Sequence, residues 1–295
     1  MKFGHLNDIQ SIDFSLPPDH PITEKVLKGK KVKQLEVYSG LPEWGSEGFP
    51  GKIYPEGAKP KDFLRFYAAQ FNAIELNATG YRIPSLNTIK AWTSVVPNGF
   101  AFCPKVSQPI SHVRPLGKSK EALQQCCDAM HAFEEHLGAV FLQLHPSFST
   151  QRLDDLLHFF DLWDPSLPIH VELRHPDWFS NSEVLDSLFE EMRLRKIGTI
   201  ITDTSGRRDA IHQCLTTPVA FIRFDGNDLD PSDFTRIDEW AKRCKQWIEH
   251  GLKGVYFFAH TPTKSLNPEL SNHFLAQLNN QCGFNFKLAQ ISKGE

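Results

Sequence analysis

The tightest constraint on this chain is an alternation. From Val32 onward, short apolar runs of strand length recur: Val32–Gly40, Ala73–Arg82, Phe100–Val106, Ala139–Phe148, the middle of Pro168–Trp178, Gly198–Thr204, Val219–Gly226 and Gly254–His260. Helix-like sequence follows them. Phe63, Phe66, Tyr67 and Phe71 stand at helical spacing, as do Leu86, Ile89, Trp92 and Val96, and Leu123, Cys126, Cys127 and Met130. Phe234, Ile237, Trp240, Ala241, Cys244 and Trp247 mark a strongly amphipathic helix late in the chain. About eight strand–helix units over roughly 250 residues fit a single-domain α/β fold, a (β/α)8 TIM barrel. The near-continuous apolar strands suit a sheet covered on both faces. An open doubly wound sheet fits less well, because no strand runs into a G-x-G-x-x-G turn or a P-loop. The expected organisation is an N-terminal extension over 1–31, the barrel over 32–280 and a tail over 281–295.

In such a barrel, chemistry gathers at the C-terminal ends of the strands. The strand ends here are rich in charge. The second offers Glu75 and Asn77, with Tyr81 and Arg82 just beyond. The third offers Lys105, with His112 in the following loop, and the fourth Gln143 and His145. The fifth, PIHVELRHPDW, places Glu172 and Arg174 on one strand face, followed by His175 and Trp178. The sixth ends in Asp203, the seventh in Arg223 and Asp225, and the eighth in His260. A carboxylate and a guanidinium on one face of a buried strand are costly to desolvate, so they mark a lined cavity or a site.

Arg174, Arg223 and Lys105 suit recognition of phosphate or carboxylate. Glu172, Glu75 and Asp203 are the candidate acids, bases or orienters of those cations. Asn77, Tyr81, Arg82, Gln143, His112 and Trp178 complete the substrate-binding set, and Trp44 adds a wall from the Gly/Pro-rich loop LPEWGSEGFPGKIYPEG. A plainer alternative is that the charged ring only closes the barrel as an ion network. A divalent metal could draw on Glu75, His145, Glu172, His175, Asp203 and His260, but no H-E-x-x-H or other diagnostic spacing supports one.

The formal net charge of −3 argues against coating nucleic acid by bulk charge, though a local basic patch stays compatible with nucleic-acid binding. The six cysteines include no C-x-x-C, which points to a reducing compartment. The first residues lack a secretory pattern and no run reaches the ~20 apolar residues of a membrane span, so the expectation is a cytoplasmic protein without a membrane partner.

Several strand-end motifs together resemble the YecE-like family, TIM-barrel proteins of unknown function (domain of unknown function 72). ELNATGYRIPS is similar to its E-x-N-x-T-F-Y-R-x-P signature, QLHPSF to Q-L-P-P-S-F, and VELRHPDW to V-E-x-R-x-x-x-W. EWGSEGFPGKIYPEG, PKVSQPISH and IRFDG match further family runs in the same order. Gly80 stands where the signature has Phe, His145 where it has Pro, and FFAH where it has Y-F-N-N. The resemblance implies the barrel, and it marks Glu75, Asn77, Tyr81, Arg82, Lys105, His112, Gln143, Glu172, Arg174, Trp178, Asp203 and Arg223 as family-like positions. It implies no reaction. The residues point to an enzyme acting on a phosphorylated, sugar-like or phosphodiester substrate. The alternative is a non-catalytic module for an anionic metabolite or nucleic acid.

Overall fold

In the computed structural model, which describes residues 3–292, eight strands form one parallel sheet in the order β3-β2-β1-β8-β7-β6-β5-β4. They are β1 (Glu36–Leu41), β2 (Ala73–Leu76), β3 (Ala101–Pro104), β4 (Val140–Gln143), β5 (Ile169–Glu172), β6 (Gly198–Asp203), β7 (Val219–Asp225) and β8 (Gly254–His260). The two ends of that order meet. Gly138 N–H donates to Phe102 O at 2.8 Å and Val106 N–H to Phe141 O at 2.9 Å, which brings β3 against β4 and closes the (β/α)8 barrel.

Strand parity sorts the side chains. Inward-facing Tyr38 and Tyr256 stack at 4.8 Å near the strand beginnings, beside His170. Phe141, Phe221 and Phe258 fill the next level. The level above, at the strand ends, carries Glu75, Gln143, Glu172, Arg223 and His260, with Lys105 just past β3. Outward-facing residues meet the helices: Phe257 stacks at 3.9 Å on Phe274 of the helix Asn267–Cys282. The helix Pro231–Glu249 buries Ile237, Trp240, Ala241, Cys244 and Trp247 as its spacing predicts. Ser85 caps the helix Leu86–Thr93 through Thr88 N–H.

The sixth unit departs from the regular pattern. Between β6 and β7 the only helical segment is the 3-10 turn Arg208–Ala210. The N-terminal extension covers the place where a helix would pack. Its short helix Pro21–Val26 is fixed by Thr23 Oγ1, which donates to Gln213 O at 2.9 Å and accepts from Leu215 N–H at 2.8 Å. His20 Nε2 lies 2.9 Å from Asp186 Oδ1 on the helix Ser182–Leu194. Asp19 binds Arg243 Nη1 at 2.6 Å and Trp247 Nε1 at 2.9 Å on the helix Pro231–Glu249. The outer face of β6 is thereby shielded by residues distant in sequence.

Candidate functional site at the barrel mouth

Arg223 is the hub of the strand-end level. It is 2% exposed and donates on two sides. Nε and Nη2 each reach a Glu75 oxygen at 2.8 Å, while Nη1 reaches both Glu172 oxygens at 2.9 and 3.0 Å. The two carboxylates are 0% and 1% exposed. Glu172 also accepts from Thr202 Oγ1 at 2.6 Å and from Gln143 Nε2 at 2.5 Å, and Arg174 Nε stands 3.4 Å away. Glu75 also accepts from Asn77 Nδ2 at 2.7 Å and pairs with His260 Nε2 at 3.0 Å.

These contacts decide protonation. Burial alone would raise Glu172, but Arg174, Arg223 and the two neutral donors hold it at about 2. Burial works against Glu75 too, yet Arg223 and His260 keep it well below the usual carboxylate range. Both stay ionised at neutral pH, with their lone pairs engaged. They orient their neighbours more readily than they accept a substrate proton.

The orientation of Gln143 follows from its partners. A carboxylate only accepts and an ammonium only donates. The Gln143 amide nitrogen must therefore face Glu172, and its oxygen takes the Lys105 Nζ bond at 2.7 Å. Lys105 forms no ion pair among the described residues. Its burial, together with Arg223 and Arg174, outweighs Glu172 and Glu75 and brings the amine down to about 8.

A cavity of about 680 Å³ opens above this network. Asn77, Lys105, Gln143, Arg174, Arg223 and His260 form its floor, and Trp44, Tyr81, Thr261, Lys264 and Asn267 form its walls. Glu43 is the one carboxylate on the lining among the described residues, and Lys264 neutralises it at 2.9 Å. The surface a ligand would touch is therefore cationic, with the acidic residues behind it.

Several sequence expectations need correction. Asp203 does not reach the cavity. Ile200 and Thr202 take the inward parity of β6, so Asp203 faces the helices, 0% exposed, bonded to Arg236 Nη2 and Trp240 Nε1 at 2.7 Å each and to Arg208. Burial opposes its ionisation, but Arg236 and Arg208 hold it below its ordinary value. Trp178 is 0% exposed. Its Nε1 donates to Phe148 O at 2.7 Å, so it packs rather than meeting a ligand. Arg82 borders a separate cleft with Ser85 and Trp92. His112 is exposed, bonds Ser111 Oγ at 2.8 Å and lies off the cavity lining, edge-on to His145. Of the metal-ligand types, Glu75 and His260 meet, but no group of three or more His, Cys, Asp or Glu that could hold an ion exists among the described residues.

Sequence reasoning passed over Thr202, Thr261, Lys264 and Asn267. For Thr202 the two adjacent isoleucines of GTIITDT leave the strand phase open, so the sequence carries no clear signal. The others sit on the loop and helix after β8, which no local pattern points toward the mouth. No helix among the described residues is long and apolar enough to cross a membrane.

Comparison with known proteins agrees with this architecture. The chain is 28% identical to the UPF0759 protein YecE of Escherichia coli K12 over 253 residues, 79% of this chain and 89% of that protein. It is 25% identical to the UPF0759 protein YunF of Bacillus subtilis over 151 residues, 49% of this chain and 52% of that one. A DUF72 family protein from Enterococcus faecalis superposes with a TM-score of 0.68 at 17% identity, covering 88% of this chain and all of the other (100%). One from Thermotoga maritima superposes at 0.64 with 24% identity, covering 83% and 99%. The family model described as "Protein of unknown function DUF72" matches residues 38–290, and with the barrel and its strand-end ring in place, the chain belongs to the DUF72 family.

Proposed function

We propose that the barrel mouth binds a small phosphate- or carboxylate-bearing molecule and catalyses proton-transfer chemistry on it. The observation that carries this reading is the charge of the lining. Lys105 and Arg174 present positive charge to a cavity whose one lining carboxylate, Glu43, is already paired with Lys264. An anion there gains charge-assisted bonds from groups whose desolvation the fold has already met. In this reading Arg174 holds the anion, Trp44 and Tyr81 border the bound molecule, and Glu75 and Glu172 keep the donors in place. Of the roles open to Glu75 and Glu172, acid, base or orienter of the cations, this reading takes the last, and proton transfer passes to Lys105 and His260. A module that merely retained an anion would need the cations alone. An amine at about 8 is suited to turnover near neutral pH, and His260, paired with Glu75, stands on the same lining.

Two measurements test it. Protein purified from cells without a tag should release a stoichiometric anionic small molecule on denaturation, seen by mass spectrometry. Inorganic phosphate should raise the melting temperature saturably, and Arg174→Gln should weaken that binding about tenfold or more. No retained anion together with no saturable shift would end the reading.

A further inference from the structure

We propose that Lys105 is an amine nucleophile that forms an imine with an aldehyde or ketone carbonyl on the anionic molecule bound at the mouth. This rests on the anion-site reading above and narrows the ligand to one carrying both a carbonyl and a phosphate or carboxylate.

The placement of Lys105 argues for a reacting group rather than a charge. A lysine used as a counter-ion seeks a carboxylate, and two lie in this cluster. Glu75 and Glu172 are instead taken by Arg223, and Lys105 Nζ meets the neutral Gln143 oxygen. The guanidinium groups of Arg174 and Arg223 flank it and disfavour its protonated form. A desolvated lysine beside other cations is a recurring way of making an amine nucleophilic.

The side chain is also held in place. Thr79 Oγ1 accepts Lys105 N–H at 2.8 Å and donates to Lys105 O at 2.8 Å, fixing the backbone where β3 ends. The aliphatic stem passes so close to Gly80 that a Cβ there would lie 2.8 Å from Lys105 Cδ. Gly80 is not in a left-handed conformation, so its small size serves the passage of that stem. This is the position where the resembled signature carries Phe. The Nζ therefore reaches the cavity floor along a confined path, beside Arg174, which would anchor the anionic end of the ligand.

The step balances without any redox partner. The Nζ lone pair forms a bond to the carbonyl carbon while the C=O π pair moves to oxygen, which takes a proton. Nitrogen sheds one proton, the hydroxyl takes a second proton and leaves as water while the nitrogen lone pair closes the C=N bond, and loss of the last N–H proton leaves the neutral imine. Amine and carbonyl thus give imine and water. His260, on the same lining with Glu75 behind it, is the group that moves these protons.

The test uses the full chain, glyoxylate as an anionic aldehyde and sodium cyanoborohydride as the trap, at pH 7, with peptide mapping of the reduced adduct. The expected result is carboxymethylation of Lys105 about tenfold or more faster than of exposed lysines such as Lys264 at the same mouth. Inorganic phosphate should slow it. Adducts spread over exposed lysines with Lys105 unmodified would overturn the proposal. The Lys105 preference should shrink as pH rises from 7 toward 10, where exposed lysines lose their protons as well. A preference that stays unchanged over that range would also count against it. The two readings separate cleanly. Saturable phosphate binding without trapping at Lys105 removes the imine and leaves the anion site. Trapping at Lys105 that phosphate neither binds against nor slows removes the anion site and leaves the nucleophile.

Discussion

Arg223→Met isolates the energetics of the mouth. The substitution keeps an unbranched side chain in the barrel but removes the cation that faces two carboxylates, 0% and 1% exposed. Removing one partner of a buried ion pair costs roughly 3–5 kcal/mol, because a charge stays buried without compensation. Here two are left, with His260 and Arg174 as partial substitutes. The expected loss is at the upper end of that range, on the order of 10 °C in melting temperature for a chain of this size. The pH dependence gives a sharper check. In the native protein both carboxyls sit below their unfolded values, so their contribution is present above the unfolded pKa of ~4.3 and is lost only as pH falls through the folded values, about 2 for Glu172. Without Arg223, burial pushes at least one of them above its unfolded value, and the penalty is relieved as acid protonates it. The gap between native and variant is therefore widest at pH 7.5 and narrows toward pH 5. Urea unfolding followed by tryptophan fluorescence at the two pH values reads it directly. Adding Glu75→Gln and Glu172→Gln should recover most of the loss at pH 7.5. An Arg223→Met protein with an unchanged urea midpoint at pH 7.5, or a gap that widens in acid, would refute the reasoning.

Three further outcomes follow from the same geometry. His170 lies buried among Phe221 and Tyr256 with neither ring nitrogen bonded, and burial lowers it to about 4, so unfolding takes up a proton below pH 6.5 and stability falls by about 3 kcal/mol between pH 6.5 and 4; His170→Phe should flatten that part of the stability profile. Trp178→Phe, which strands the Phe148 carbonyl, should cost roughly 1–3 kcal/mol while leaving phosphate affinity unchanged, whereas Tyr81→Ala, at an exposed aromatic on the cavity lining, should weaken ligand binding with little effect on the melting temperature. Asp203→Asn weakens the grip of Arg208 and Arg236, which pack on Phe14 at 5.2 and 4.7 Å, and limited proteolysis should then cut the first twenty or so residues sooner than in the native chain.

The barrel was legible because its signal is local and repeated. Each strand is a short apolar run and each helix a periodic face, and the order of these units fixes the topology. The inward ring was legible where parity was unambiguous: Ile222 and Phe224 frame Arg223, and Val171 and Leu173 frame Glu172. It failed at GTIITDT, where two adjacent isoleucines leave the phase of the strand open and a carboxylate at the strand end invites the functional reading. Arg236 and Trp240, which claim Asp203, lie on a helix more than thirty residues away, and no local pattern announces that bond. Trp178 misled for a related reason. A residue just past a strand end lies near the mouth, but its burial depends on Phe148 in the preceding unit.

The choice between an ion network and a functional site dissolves once the bonds are followed outward. Arg223 neutralises Glu75 and Glu172, which lets both stay ionised in a dry barrel. Their remaining lone pairs then set the ligand-facing groups. Glu172 fixes the Gln143 amide, and Gln143 offers its oxygen to Lys105. Glu75 fixes Asn77 and His260. Lys105 joins that network only through a neutral amide, because the Gln143 nitrogen is needed as a donor to Glu172 and leaves its oxygen for the amine. That amide leaves the amine at about 8, below the usual lysine value and with no ion pair among the described residues. The test of that argument is stability itself: Lys105→Met should cost little more than the ~1 kcal/mol of its bond to Gln143 while abolishing trapping, and a loss of several kcal/mol would return the amine to the fold.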